Sequence, residues 1–326
     1  MQVPGLDIMS TMTTADIDTP AVPPLVRAEV PRLLRYAIGD WLVIVATWLV
    51  LWAGPAWLYP MGALVIAGRL HALGVVLHDA CHMGRRVDTT WLWLLQLLAG
   101  YPIGTTIEAM RYHHLRHHRS SGMAEDPYFK EGVSTDATRR TLLRLRGLLL
   151  VPVWIVRGYF GSAALVFPAL RPAYARFFLQ DRSGVDVAAS PEVMACLREE
   201  PKQAAFFTVV FAALAYFPTA VGLYYLVPLI VAGALNVNRV IVEHIHLRCA
   251  DRRPATVIAT TVTHDGGPLG KLFLFPHNIG FHVVHHLYPS AALQSLPALH
   301  RWHGAGASRG ELQARPTEED AVAREA

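Results

Sequence analysis

From Trp41 to Gly68 the chain carries no charged residue, and from Gln203 to Asn238 it again carries none. One membrane crossing takes about 20 apolar residues, so each stretch is too long for one crossing and, with the mostly apolar residues flanking it, approaches the length of two. Each also breaks near its centre, at Gly54-Pro55 in the first and Pro218-Thr219 in the second. In lipid a lone apolar segment must satisfy its own backbone polar groups, which selects helices. The pattern therefore predicts two tight helical hairpins. The first joins Leu34–Leu51 to Trp57–Leu77, and the second folds 203–238 back on itself.

Composition agrees with an all-α integral membrane protein. Hydrophobic residues make up 53% of the 326 residues and charged residues 17%, against about 25% charged in soluble chains. The net charge of +4 could suggest nucleic acid, yet no basic run is interleaved with aromatics as a binding face would be. An excess of Arg and Lys on the cytoplasmic side of a membrane explains it better. Both hairpin tips lack Lys and Arg, whereas Arg27, Arg32, Arg35, Arg85, Arg86, Arg239 and Arg248 lie at the opposite ends. Both termini and the middle of the chain are thus expected in the cytoplasm, with the protein in the cell membrane.

Two further apolar stretches need placing. Trp91 to Ile107 is interrupted by Gly100, Pro102 and Gly104, and Leu142 to Phe160 contains Arg144, Arg146 and Arg157. The second composition suits a helix lying in the headgroup plane. If either stretch crossed, the histidine groups described next would fall on opposite faces, so both are read as interfacial or re-entrant. Residues 1–30 read as a disordered lead-in without a cleaved signal peptide, 31–303 as the membrane domain, and 304–326 as a disordered tail. The three cysteines are too scattered for a disulfide framework or a CxxC site.

Half of the 16 histidines fall in three groups: His78 with His82, then His114, His117 and His118, then His282, His285 and His286. Positions i, i+3 and i+4 share one helix face, so each group can aim at one point. Neutral imidazole is the commonest metal ligand. One zinc takes about four ligands, so this number of imidazoles implies two metal ions, although nitrogen ligands alone do not name the metal. His78-Asp79-Ala80-Cys81-His82 differs from an HExxH zinc-protease helix by Asp for Glu. That reading leaves both HxxHH groups unexplained.

With its HxxxH, HxxHH and HxxHH boxes in this order, the sequence resembles the membrane fatty acid desaturase superfamily over residues 35 to 303. The stretch from Pro276 to Pro289 is similar to the family's third-box region, as is Leu296-Pro297-Ala298-Leu299-His300 after it. Arg111 to His118, running on to Glu125-Asp126-Pro127, resembles the second-box region. The resemblance implies four spanning helices in two hairpins under a cytoplasmic helical cap. It implies two non-haem iron ions acting with O2 on an acyl chain. It also implies a ninth histidine after the fourth span, assigned here to His244 with His246 as the alternative. Ligating histidines usually donate their other N–H to a carboxylate or amide, which makes Asp79, Glu243 and Asn278 candidates to hold them. His277, His300 and His303 fit no ligand spacing, and His71 reads as a buried, hydrogen-bonded histidine.

Unactivated C–H bonds lie beyond acid–base groups, so a redox metal must do the work, and no catalytic residue beyond the metal ligands is expected. The chain has no cysteine set for an iron–sulfur cluster and no dinucleotide fingerprint. Electrons are therefore expected from a separate donor protein, a ferredoxin or b-type cytochrome, steered to the cap by its basic residues. The first reading is a fatty-acyl desaturase. A carotenoid ketolase or hydroxylase, or another lipid hydroxylase, shares the boxes. A histidine-based transporter is the non-enzymatic alternative, against which stands the placement of the boxes at helix ends rather than midplane.

Overall fold

The computed structural model describes residues 23, 25–83 and 89–307. The expected lead-in and tail lie largely outside these, as do Arg85 and Arg86. Among the described residues all regular structure is helical, apart from two isolated bridges, Arg27 with Ala291 and His244 with Thr261.

Helix α1 spans Val30–Ala53 and stops at Gly54, whose N–H donates to the Val50 carbonyl at 2.8 Å. Pro55 has no N–H with which to continue. A single turn, Ala56–Leu58, leads directly into α2, Tyr59–Cys81. The hairpin closes tightly because position 62 is glycine: a Cβ there would sit 2.6 Å from the Leu51 side chain. Leu42, Val45 and Leu49 of α1 face outward while Ile44 and Leu51 face inward. Such an all-round apolar helix suits a membrane. The two charges that bound the first uncharged stretch, Asp40 and Arg69, pair with each other at 3.1 Å.

The remaining helices are α3 (Thr89–Leu95), α4 (Ile107–Ser120), α5 (Ala137–Arg146), α6 (Leu150–Val166), α7 (Pro191–Tyr216), α8 (Val227–Glu243), α9 (Pro254–Thr260), α10 (Gly267–Phe273), α11 (His282–Leu287) and α12 (Leu296–Ala307). After α3 the chain dips toward the bundle and turns back. The Tyr225 hydroxyl donates to the Pro102 carbonyl at 2.5 Å, and Gly104 takes φ 79° to reverse direction into α4. The segment thus turns back on itself against the bundle.

Among the described residues, four helical runs are long and apolar enough to cross a membrane: Val30–Ala53, Ala56–Cys81, Ala137–Val166 and Pro218–Glu243. Connectivity argues that the third lies along the bundle instead. At its start Arg144 Nε donates to Asn238 Oδ1 at 3.1 Å, beside the end of α8. At its end Ala164 shares a buried cluster with Ala109 and Tyr112 of α4. Both ends therefore sit at the same end of the bundle, the one that carries the histidines. The contacts of its two ends make α7 the alternative for that crossing. Its first turn is tied to α4 through Arg116 and Glu192 at 2.7 Å. Its last turn leads, through a break at Phe217, into the helical segment 218–226 that opens the fourth run, where the Leu223 and Tyr224 carbonyls accept from Tyr59 and Trp48 of the first hairpin. Glu199, Glu200 and Lys202 in its first half keep α7 from qualifying by composition alone.

Arg157 does not reach for headgroups as the sequence pattern implied. It is fully buried, paired with Glu200 at 2.8 Å, and donates to Thr105 Oγ1 at 2.9 Å and Gln203 Oε1 at 3.2 Å. Glu200 in turn accepts from the Tyr174 hydroxyl at 2.5 Å. The network pins α6 to α7 and to the turn before α4. Where the α5–α6 junction meets α8, Gly147 allows near-backbone contact: a Cβ there would lie 3.0 Å from the Ala234 Cα.

Candidate metal centre

Four segments bring the histidines together. His78 and His82 end α2. Helix α4 begins at Thr106, whose hydroxyl accepts from the Ala109 N–H at 3.2 Å, while Gln96 Oε1 accepts from the Ile107 N–H at 2.8 Å. These caps set the helix phase, and hence the face that presents His114, His117 and His118. His244 follows α8 in extended conformation. The third box is the short α11, reached through His277 and Asn278, both at positive φ. Gly280 is required in that approach, since a Cβ on it would meet the His264 carbonyl.

The ligating atoms of His78, His82, His114, His118 and His285 lie within 4.8 Å of one another, as do those of His117, His244 and His286. His282 joins the second group, its Nε2 standing 3.2 Å from that of His244 and 3.1 Å from that of His286. In the first group the Nε2 atoms of His82 and His118 lie 2.9 and 3.0 Å from that of His114, and His118 lies 3.0 Å from His285. All are buried except half-buried His82. Burial, with each other's charge behind it, holds the imidazoles of His114, His118, His282 and His286 well below the ordinary histidine range. They are therefore neutral and able to ligate.

The second group tests whether a metal fits. His117 Nδ1–H donates to Asp126 Oδ1 at 2.9 Å, and His244 Nδ1–H donates to the Val240 carbonyl at 3.0 Å. In its ligand-competent neutral form each imidazole has one N–H, and with that N–H on Nδ1 both Nε2 atoms would present lone pairs. These stand 3.0 Å apart. Two bare acceptors at that distance repel unless they share a cation. Two nitrogens bound to one ion at about 2.1 Å and at right angles would stand about 3 Å apart. The residues fit the group.

Asp126 is the contact that sequence reasoning did not single out. Burial would raise its carboxyl, but the His117 imidazole and the N–H groups of Gly122 and Tyr128 outweigh that and hold it at about 2. The Tyr128 ring stacks on His117 at 4.5 Å between centroids, and its hydroxyl lies 2.8 Å from His113 Nδ1. Glu243 faces His282, its Oε2 standing 3.6 Å from Nδ1 and 2.6 Å from Arg239 Nη1. The other two carboxylate or amide candidates meet the chain elsewhere. Asp79 Oδ2 accepts from the Leu293 N–H at 3.5 Å and Asn278 Nδ2 donates to the Leu293 carbonyl at 3.4 Å.

His246 turns away at φ 51°, its ring centroid 6.1 Å from that of His244. His277 pairs with Asp40 at 2.9 Å, His71 Nδ1–H donates to the Phe273 carbonyl at 3.0 Å, His303 lies 3.5 Å from the Tyr288 hydroxyl, and His300 packs on Phe281. A half-open cavity of about 580 Å³ reaches the first group, walled by His82 and His118 and edged by Glu108, Arg111, Arg116 and Glu192.

A helical bundle with membrane-length apolar helices, gathering nine buried or half-buried imidazoles at one end, defines a membrane protein built around a histidine cluster that could hold metal ions. The sequence profile of the fatty acid desaturase family matches residues 55–315, and the chain belongs to that family. Dihydrorhizobitoxine desaturase of Bradyrhizobium elkanii is 36% identical over 98 residues, which are 29% of this chain and 28% of that protein. The similarity thus spans a little over a quarter of the relative's length.

Proposed function

We propose that this protein is a membrane oxidoreductase that holds two iron ions and introduces a double bond into the acyl chain of a lipid. One position is formed by His78, His82, His114, His118 and His285, the other by His117, His244, His282 and His286. The observation that carries the reading is the facing pair of lone pairs on His117 and His244, 3.0 Å apart, because no hydrogen bond between neutral imidazoles accounts for it. Iron supplies, with dioxygen, the redox power to break C–H bonds that acid–base residues leave intact. Family membership and the relative named a desaturase support double-bond formation as the outcome.

The chain's own contribution is position and dryness. Asp126 and the Val240 carbonyl fix the rotation of His117 and His244 and keep the proton on Nδ1, so that Nε2 stays free to bind. Burial excludes water from all but the His82 side. The apolar bundle beneath the histidines is a setting for a hydrocarbon chain. Overall, two C–H bonds of substrate break, and two electrons from substrate with two from a donor protein reduce dioxygen to two waters. The histidine end and both termini face the cytoplasm, where an acidic carrier would meet the arginines around the cavity.

Metal analysis of the purified protein tests the reading. The expected result is two irons per chain in wild type and a clear loss in His285→Ala, with the helical content unchanged. Wild type without bound iron after anaerobic loading would contradict it.

A further inference from the structure

The two positions differ in what stands behind their ligands. Around the second, two of four imidazoles donate Nδ1–H to a protein acceptor, His117 to Asp126 at 2.9 Å and His244 to the Val240 carbonyl at 3.0 Å; Glu243 stands 3.6 Å from His282 Nδ1, beyond hydrogen-bond reach, and the Nδ1 atoms of His282 and His286 are without a hydrogen-bond partner. Both carboxylates are themselves fixed. Asp126 accepts from the Gly122 N–H at 2.9 Å and the Tyr128 N–H at 2.8 Å, and Glu243 accepts from Arg239 at 2.6 Å. The loop that carries Asp126 closes only because position 122 is glycine at φ 79°, where a Cβ would lie 2.7 Å from Cys249 Sγ.

Around the first position such support is sparser still. Among the described residues, the Nδ1 atoms of His78, His114, His118 and His285 are buried without a hydrogen-bond partner. His82 stands in the cavity wall beside Arg111, a cation. A carboxylate behind an imidazole fixes its rotation and raises its basicity, and buried negative charge favours a bound cation. The first position has one more imidazole, but that extra ligand is the half-buried one on the open side.

Resting on the two-iron reading above, we propose that the positions are unequal. The one formed by His117, His244, His282 and His286 fills first and holds its ion more tightly. The one formed by His78, His82, His114, His118 and His285 is the exchangeable one, filled and emptied through the cavity. Asp126 is the positioning residue that sets the difference, and removing such a partner typically weakens metal binding about 10–100-fold.

The test is an anaerobic titration of metal-free protein in detergent with ⁵⁷Fe(II), followed by Mössbauer spectroscopy. In wild type one quadrupole doublet grows to one equivalent, and a second appears only beyond it. His82→Ala removes the later doublet alone. Asp126→Asn shifts the parameters of the earlier doublet and weakens its filling by about 10–100-fold, and should Asp126→Asn fold poorly, His244→Ala removes the earlier doublet alone. Two doublets growing together from the first addition would overturn the proposal, as would an Asp126→Asn effect confined to the later doublet. Wild type that takes up no iron would instead overturn the two-iron reading itself, so the two failures are told apart without any variant.

Discussion

His244 and His246 stand two residues apart, yet only one turns into the cluster. His244 leaves α8 extended, at φ −127° and ψ 139°, and bridges to Thr261, which points its ring at His117. His246 takes φ 51° and leaves that line. His244→Ala is therefore expected to lose one iron of two together with activity, while His246→Ala keeps both irons, as elemental analysis of the purified variants would check. The three boxes were legible in the sequence because helical spacing alone puts i, i+3 and i+4 on one face. The choice between His244 and His246 was not, since it depends on two backbone dihedrals after a helix end. Asp126 was hidden for a related reason: it reaches His117 only because the loop from Ser121 to Tyr128 folds back over α4. Asp79 lies next to a box residue in sequence but faces Leu293, because a neighbour one residue along a helix points to a different side.

At the scale of helices, the outer hairpins were plain from charge-free runs, and the middle of the chain was harder. Length and apolarity favour Ala137–Val166 as a span and disfavour α7, whereas the contacts of their ends argue the opposite. Tagging settles the matter in the intact protein. With Cys249→Ser as background, Ser183→Cys should react with an impermeant thiol reagent from the same side as Asp265→Cys, and Trp57→Cys from the other; all three positions are exposed. Ser183→Cys reacting together with Trp57→Cys would mean that Ala137–Val166 crosses. The buried pair that locks this region was illegible as well, since Arg157 in an apolar stretch reads as an interfacial anchor. Leaving Glu200 buried without its partner is costly, so Arg157→Met should destabilise the protein by about 3–5 kcal/mol, visible as a lowered melting temperature. The double variant Arg157→Met/Glu200→Leu should recover most of the loss, because an apolar pair of similar volume often matches a buried ion pair.

For the whole molecule, the account joins an apolar bundle to a dry nitrogen-lined centre at one end, and claims that the join exists to oxidise a hydrocarbon chain. The family match supports the chemistry and the bundle supports the setting. The identity of the chain, and whether a double bond or a hydroxyl results, depends on ångström-scale placement of substrate that residue spacing does not encode. The most direct measurement is mass spectrometry of the lipids of a bacterial host expressing wild type or His285→Ala. The account predicts acyl chains two hydrogens lighter in wild type and absent in the variant. Chains one oxygen heavier would contradict desaturation and point to hydroxylation. Acyl chains unchanged in every lipid, with the protein present and loaded with iron, would contradict the acyl reading altogether.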